Sequence, residues 1–282
     1  MATSPLSTAE EARQAIANDL EGIRRDAGLT KRALAQRCGW HESKSSRIEG
    51  NRTVPSDEDI RAWCRECGVP ERAADLIAAS RTANSMYVHW RKRHSAGMRK
   101  AQEDPLPRYE STSAFRIYCS NVVPGVLQTA GYATELMSLI THFQETPNDV
   151  EQAVEARLER GRSLHQAGHT FAILLEQSVL YYRPGKAETM AGQLGRLLEV
   201  MTLPAVSLGV VPWSAPRGMW PLEAFYAFDD RLVVVETLTA EINVQQPSEI
   251  ADYLRAFAEL SKGAVYGAVA RALITGAIDS IG

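Results

Sequence analysis

Residues 42–47 read Glu-Ser-Lys-Ser-Ser-Arg, and several of these side chains suit the edges of base pairs. Arg47 carries the planar fork that bonds guanine O6 and N7 together, Glu42 can accept from the cytosine amino group, and Ser43 and Ser46 can serve either role. Lys44 between them, Lys31 upstream and Arg52 downstream supply the charge that phosphates attract, a contact that fixes register without reading sequence. Such groups work together only if a scaffold turns them outwards from one element.

The neighbouring residues predict that scaffold. TKRALAQRCGWHESKSSRIEGNRTVP, residues 30–55, reads as two short helices joined at Gly39, where the missing Cβ permits a sharp turn. Leu34 and Ala35 give the first helix an apolar face, and Trp40 and Ile48 anchor the second. The other positions of the second helix are polar and point away from the core, as the recognition helix of a helix-turn-helix requires. Upstream, Ile16, Leu20, Ile23 and Ala27 predict an amphipathic helix over 13–27, ended by Gly28. Thr30 is placed to cap the next helix on one side only, because Ala33 stands where a capping box needs Glu or Gln. Downstream, Ser56 and Asp59 form a capping-box pair, Ile60, Trp63, Cys64 and Cys67 line one helical face, and Gly68 closes that helix. Pro70 opens a fifth helix containing Leu76 and Ile77. Five helices in about eighty residues suffice for a self-supporting bundle.

Residues 10–80 resemble the XRE class of bacterial helix-turn-helix domains through the runs LTKRALAQRCGW and SRIEGNRTVPS and the spacing between them. The resemblance implies that Glu42 and Ser43, with Ser46 and Arg47 one turn later, read bases, and that Lys31, Asn51 and Arg52 touch phosphates. Two residues depart from the class: Lys31 replaces a usual Gln, and Ser45 replaces an apolar core residue. A serine facing the bundle is expected to weaken packing, so that Ser45→Val would add about 1 kcal/mol.

Charge agrees with this division. Residues 1–103 carry 18 Lys+Arg and 14 Asp+Glu, a net of +4, whereas residues 104–282 carry 13 and 20, a net of −7, which together give the chain's −3. An acidic total argues against a generic nucleic-acid coating protein, which needs many phosphate contacts. The length of 282 residues predicts two domains. No apolar run approaches the roughly eighteen residues of a membrane span. MATSPLSTAEEARQ lacks the basic and apolar regions of a secretion signal, so a cytoplasmic protein is expected.

Cys64 and Cys67 form a CxxC, but Cys38 and Cys119 stand singly and supply no second pair for zinc, and no strand precedes the motif as a thioredoxin-like reading needs. Buried core thiols are expected instead. The chain has no G-x-S-x-G, no Walker loop and no G-x-G-x-x-G opening a helix. His165 and His169 have i,i+4 spacing, yet a glycine intervenes and no HExxH glutamate accompanies them. Glu176, Glu223 and Glu236 lie near strands, with nothing in the sequence to pair them as acid and base. No catalytic, metal or cofactor-binding residue is therefore assigned, and no cofactor or enzymatic activity is expected.

Residues 86–110, MYVHWRKRHSAGMRKAQEDPLPRYE, read as a basic connecting helix ending before Pro105, with Arg91, Lys92, Arg93, Arg99 and Lys100 against an apolar side of Tyr87, Trp90 and Met98. Beyond it, residues 111–120 and 129–141 read as helices broken by NVVPGVLQT, and Val150, Val154 and Leu158 stripe another. Strands are predicted at 171–175, across Val206, Leu208 and Val210, and at 224–228 and 232–235, the last two flanking Asp-Asp-Arg as a hairpin. Met190, Leu194, Leu197 and Leu198 mark a helix between the first two strands, and Ile250, Tyr253, Leu254, Phe257 and Leu260 mark a last one. The expected class is α+β multidomain: a five-helix helix-turn-helix bundle over 1–80, a basic connecting segment over 81–110, and a mixed helical and small-sheet domain over 111–282.

The segments FRIYCSNVVPGVLQTAGYATELM, EARLERGRSLH, LLEQSVLYYRPG, MAGQLGRLLEV, SLGVVPWSA and VVVETLTAE resemble actinobacterial WhiJ-like regulators, which join an XRE domain to an antitoxin-like C-terminal domain. RLERGRSLH departs from the pattern, which has Arg-Gln after the glutamate position. The resemblance implies transcriptional control and a short partner protein encoded nearby. The residues alone leave alternatives open: VVPGVLQTAGYA forms a partner-receiving turn or a structural turn with Leu127 and Tyr132 inward, and Trp213 and Trp220 bind a peptide or small ligand or cover a sheet edge. The reading is a DNA-binding, antitoxin-like transcriptional regulator, a homodimer on an inverted-repeat double-stranded operator, with no membrane partner. Its alternatives are a metabolite-gated regulator with a small-ligand pocket in the C-terminal domain, and an enzyme fused to a DNA-binding domain.

Overall fold

A computed structural model describes residues 5–281, and the chain divides into two compact units between Val88 and His89. The side chains of Tyr87 and Arg91, part of the expected basic arm, and the first four residues of the start read for a secretion signal lie outside the described residues.

The first unit contains α1 (Pro5–Asp26), α2 (Lys31–Cys38), α3 (Glu42–Glu49), α4 (Asp57–Glu66) and α5 (Ala73–Met86), the last entered through a 3-10 turn at Pro70–Arg72. Leu20, Leu34, Ile48, Ile60 and Trp63 are wholly buried and cluster with Ile16, Ile23, Leu76 and Ile77. The indole of Trp63 donates to the Leu20 carbonyl at 3.0 Å, a buried hydrogen bond that joins α4 to α1. The local signals act as their chemistry dictates. The Thr30 hydroxyl accepts from the Ala33 amide at 3.1 Å, Gly39 ends α2 at φ 74, and Ser56 and Asp59 cap α4 reciprocally. Ser45 does face the bundle, with no exposed surface, but its hydroxyl accepts from the Trp40 indole at 2.9 Å. The expected gain from Ser45→Val is thereby overturned, because valine would orphan a half-buried donor.

A short strand, β1 (Tyr87–His89), straddles the division. The single connecting helix expected after it is instead three pieces, α6 (Trp90–Arg93), α7 (Arg99–Glu103) and α8 (Leu106–Ser111), and all three belong to the second unit rather than to a free linker. Gly97 makes the break at φ 105, and a Cβ there would collide with the Asp149 carboxylate. That carboxylate accepts from the Met98 and Arg99 amides at 2.7 and 2.9 Å and so pins the start of α7.

Six strands of the second unit form a mixed sheet in the order β7-β6-β5-β2-β3-β4. β2 (Ala114–Cys119), expected as helix, is an inner strand, parallel to β3 (Thr170–Glu176) and antiparallel to β5 (Phe225–Phe228), with Ile117 opposite Ile173 and Tyr226. Burial alternates from Ala114 to Ile117, and then Ile117, Tyr118 and Cys119 are wholly buried in succession, so the alternation of a half-exposed strand is brief. β3 pairs parallel with β4 (Val206–Val211), and β5, β6 (Leu232–Glu236) and β7 (Ala240–Val244) run antiparallel, with Asp229 at φ 52 in the hairpin turn. Helices α9 (Ala130–Gln144) and α10 (Val150–Gly161) connect β2 to β3, and α11 (Ala187–Val200) connects β3 to β4. α12 (Pro247–Lys262) and α13 (Gly267–Ile281) follow the sheet. β7 and α13 went unread in the sequence. The buried stripe of α13 is Ala270, Ile274 and Ala277, mostly too small to stand out from a generally apolar segment.

Candidate nucleic-acid interface

α3 opens at Glu42, and its cap is a residue the sequence reading passed over: Nδ1 of His41 accepts from the Ser43 amide at 3.2 Å. The signal was a polar residue between the turn and the helix, hidden because histidine is an uncommon cap. From there the helix separates two chemistries. Glu42, Ser43, Ser46 and Arg47 are exposed, while Ser45, Ile48 and Glu49 are buried. After the helix, the Arg47 carbonyl accepts from the Arg52 and Thr53 amides at 2.8 and 3.2 Å, and Asn51 adopts φ 51. The loop therefore folds back against the helix end, and Arg52 is exposed beside it.

The orientation of α3 rests on charge as well as packing. The buried Glu49 carboxylate accepts from Arg24 Nε and Nη2 at 2.5 and 3.1 Å, and Lys31 Nζ lies 3.1 Å from the same group. Arg24 also donates to the Leu29 carbonyl at 2.6 Å, and its hydrogen bond to Glu49 raises its pKa. One carboxylate thus ties α1 and α2 to the back of α3.

Of the four residues expected at phosphates, two are already engaged. Lys31 shares Glu49, and Lys44 lies 2.6 Å from the Asp59 carboxylate and 4.6 Å from the centre of the Trp40 ring. Arg47 and Arg52 have no acidic partner among the described residues. The expected charge division also needs correction. Residues 1–88 carry 13 Lys+Arg against 13 Asp+Glu, so the excess of the basic half lies in residues 89–103. There Arg93 pairs with Glu241 at 2.7 Å and Arg99 with Glu103 at 2.6 Å.

The remaining candidates separate. All four cysteines are free; Cys64 and Cys119 are buried, whereas Cys67, expected in the core, caps the end of α4 and is half-buried, as is Cys38. Desolvation pushes the Cys38 and Cys67 thiols up to about 11 and Cys119 up to about 12. His169 is buried against Phe115 and Phe171, whereas His165 is exposed. Glu176 is held by both Arg217 Nη1 and Nη2 at 2.6 and 2.7 Å, and Glu223 accepts from the Tyr253 hydroxyl at 2.9 Å. Glu236 faces a cavity of about 550 Å³ in the second unit and joins neither. Among the described residues no group of three or more His, Cys, Asp or Glu is placed to hold a metal, and no helix is long and apolar enough to cross a membrane. Leu127 and Tyr132 are wholly buried, and Trp213 and Trp220 are largely exposed, the former stacked on Tyr181 with ring centres 5.0 Å apart.

Comparison with known proteins agrees with the two-unit division. A helix-turn-helix domain family matches residues 15–77, and a domain of unknown function, DUF5753, matches residues 106–276. No curated protein matches the chain. Among solved structures, TrmBL2, an archaeal chromatin protein reported to show a novel mode of DNA binding, is 11% identical over 85% of this chain and 88% of its own, with a TM-score of 0.32, too slight a likeness to bear on function. The match over most of the chain makes it a member of the DUF5753 family, here with an N-terminal helix-turn-helix domain.

Proposed function

We propose that the protein is a sequence-specific transcriptional regulator that places α3 in the major groove of duplex DNA. The observation that carries this reading is the two-sidedness of α3: Glu42, Ser43, Ser46 and Arg47 are exposed together while Glu49 locks the opposite side. Glu42, Ser43, Ser46 and Arg47 read bases, and Lys31, Lys44, Asn51 and Arg52 serve phosphates, with Lys31 and Lys44 exchanging part of an internal ion pair for a phosphate oxygen. The regulator acts as a homodimer in the cytoplasm, on half-sites about 34–36 Å apart. Its second unit is antitoxin-like and receives a short partner protein, a role consistent with the exposed Trp213 and Trp220. Selection of bound duplexes from a random pool by the full chain should return an inverted repeat. Recovery of unrelated sequences would sink the reading.

A second reading of the same unit, gating by a small molecule, is favoured by the cavity that Glu236 faces. Its volume falls in the range of small-molecule sites. Operator affinity that changes on ligand binding supports it, and affinity that changes only with a partner protein contradicts it.

A further inference from the structure

Sequence motifs that found no role in DNA binding converge on that cavity. The Pro-Gly turn after β2 contributes Gly125 and Gln128, EARLERGR on α10 contributes Arg157 and Arg160, and VVVETLTAE contributes Glu236 and Leu238. Arg157 and Arg160 are one turn apart and so share a helix face. Both guanidiniums are held by neutral oxygens. Gln102 Oε1 accepts from Arg157 Nε at 3.0 Å and also from Arg160 Nη2, while Gln128 Oε1 accepts from Arg157 Nη1 at 2.8 Å. Gln128 is itself fixed by donating to the Val123 carbonyl at 2.7 Å.

No carboxylate lies within ion-pair distance of either guanidinium among the described residues, and the Nε–H of Arg160 is buried with no acceptor at all. Arg108 joins them on the wall, stacked 5.2 Å from the centre of the Phe228 ring. Burial depresses both Arg157, to about 10, and Arg108; at Arg157 the repulsion from Arg160 adds to this and the Glu236 carboxylate partly offsets it. Three arginines line the recess against Glu236 and the Arg93-paired Glu241, and Arg157 and Arg160 are hydrogen-bonded to amides and not to a carboxylate, which leaves a place for an anion that would relieve their repulsion.

Part of the remaining surface is apolar and aromatic, with Tyr109, Leu136, Ile140 and Phe228 on the wall. Phe143 and Leu238, 68% and 75% exposed, belong to the same lining and mark where it opens. His94, also on the lining, donates from Nδ1 to Gln144 Oε1 at 2.7 Å, and its Nε2 is closed off within the protein. Glu236, at the end of β6, is exposed and belongs to the same lining.

We infer that the cavity binds a small organic anion, with its carboxylate or phosphate monoester on Arg157 and Arg160 and its apolar or aromatic body against Tyr109, Leu136 and Phe228. Glu236 on the same lining accepts from a hydroxyl or amino group of the same ligand. The inference deepens the small-molecule reading of the second unit and is tested without DNA.

The full chain is titrated with matched probes, 2-naphthoate, 2-naphthyl phosphate and the uncharged 2-naphthamide, together with decanoate and decanamide, by calorimetry and thermal shift. At least one anion should bind tenfold or more tightly than its amide, and the carboxylate and phosphate arms show which head group the site prefers. Arg160→Gln should cut that affinity at least tenfold in a protein that still unfolds cooperatively, although it loses the hydrogen bond to Gln102. Arg196→Gln, which alters a guanidinium outside the cavity, should bind as the parent does. Anions and amides binding alike, no probe binding, or a folded Arg160→Gln with undiminished affinity would each overturn the inference. Binding without any change in operator affinity would contradict gating alone.

Discussion

The Glu49 carboxylate, at the end of the helix proposed to read DNA, is buried and bonded through both oxygens to the Arg24 guanidinium of α1. Removing one member of such a pair leaves the other charge uncompensated, whereas replacing both with apolar groups is often neutral. Glu49→Ala should therefore cost about 3–5 kcal/mol. The double variant Arg24→Met with Glu49→Leu should recover most of that loss. Urea unfolding of the full chain, followed by hydrogen exchange of the α1 and α3 amides, provides the check. A single variant as stable as the parent would show that the ion pair does not hold α3.

Ser45→Val is expected to destabilise the first unit by about 1–3 kcal/mol, because the Trp40 indole loses its acceptor. Trp40→Phe combined with Ser45→Val removes donor and acceptor together and should be milder than the sum of the single changes. Thermal unfolding of the three variants decides this. A Ser45→Val protein that melts higher than the parent would restore the view that this position merely lacks an apolar side chain.

The thiols carry a pH prediction. Cys38 and Cys67 rise from an ordinary 9.0 to about 11 on folding, so the folded state holds their protons more tightly than the unfolded chain. Their contribution to stability is complete below pH 9 and is lost as pH rises through 9 towards 11. Denaturant midpoints between pH 8 and 11 should fall, and should fall less in Cys38→Ala/Cys67→Ala. Rapid alkylation of either native cysteine at pH 8 would contradict the assignment, because alkylation requires thiolate.

Local chemistry was legible in the sequence and distant pairing was not. Thr30, Gly39 and Ser56 act on neighbours within a few residues, and each caps its helix as its type predicts. Arg24 and Glu49 meet across 25 positions, and no spacing rule announces that contact. In β2 the period of two runs only from Ala114 to Ile117 before buried residues follow in succession, so its strand signal is brief. The cavity draws Trp90, Gln102, Arg157 and Glu236 from separate elements, so its arginine cluster emerges only once the second unit folds. Glu42, Ser43, Ser46 and Arg47 were legible for the converse reason, since a single turn and a single helix suffice to present them.

The division between base reading and phosphate anchoring on α3 is tested most directly by binding isotherms of Arg47→Ala and Arg52→Ala on the selected operator and on a scrambled duplex. Arg47→Ala should lose about 1–3 kcal/mol of discrimination at one base pair and bind scrambled DNA as the parent does. Arg52→Ala should weaken both duplexes alike and lower the salt dependence by about one counterion. Equal losses on operator and scrambled DNA for Arg47→Ala would contradict the account, because α3 would then be touching the backbone and not the bases.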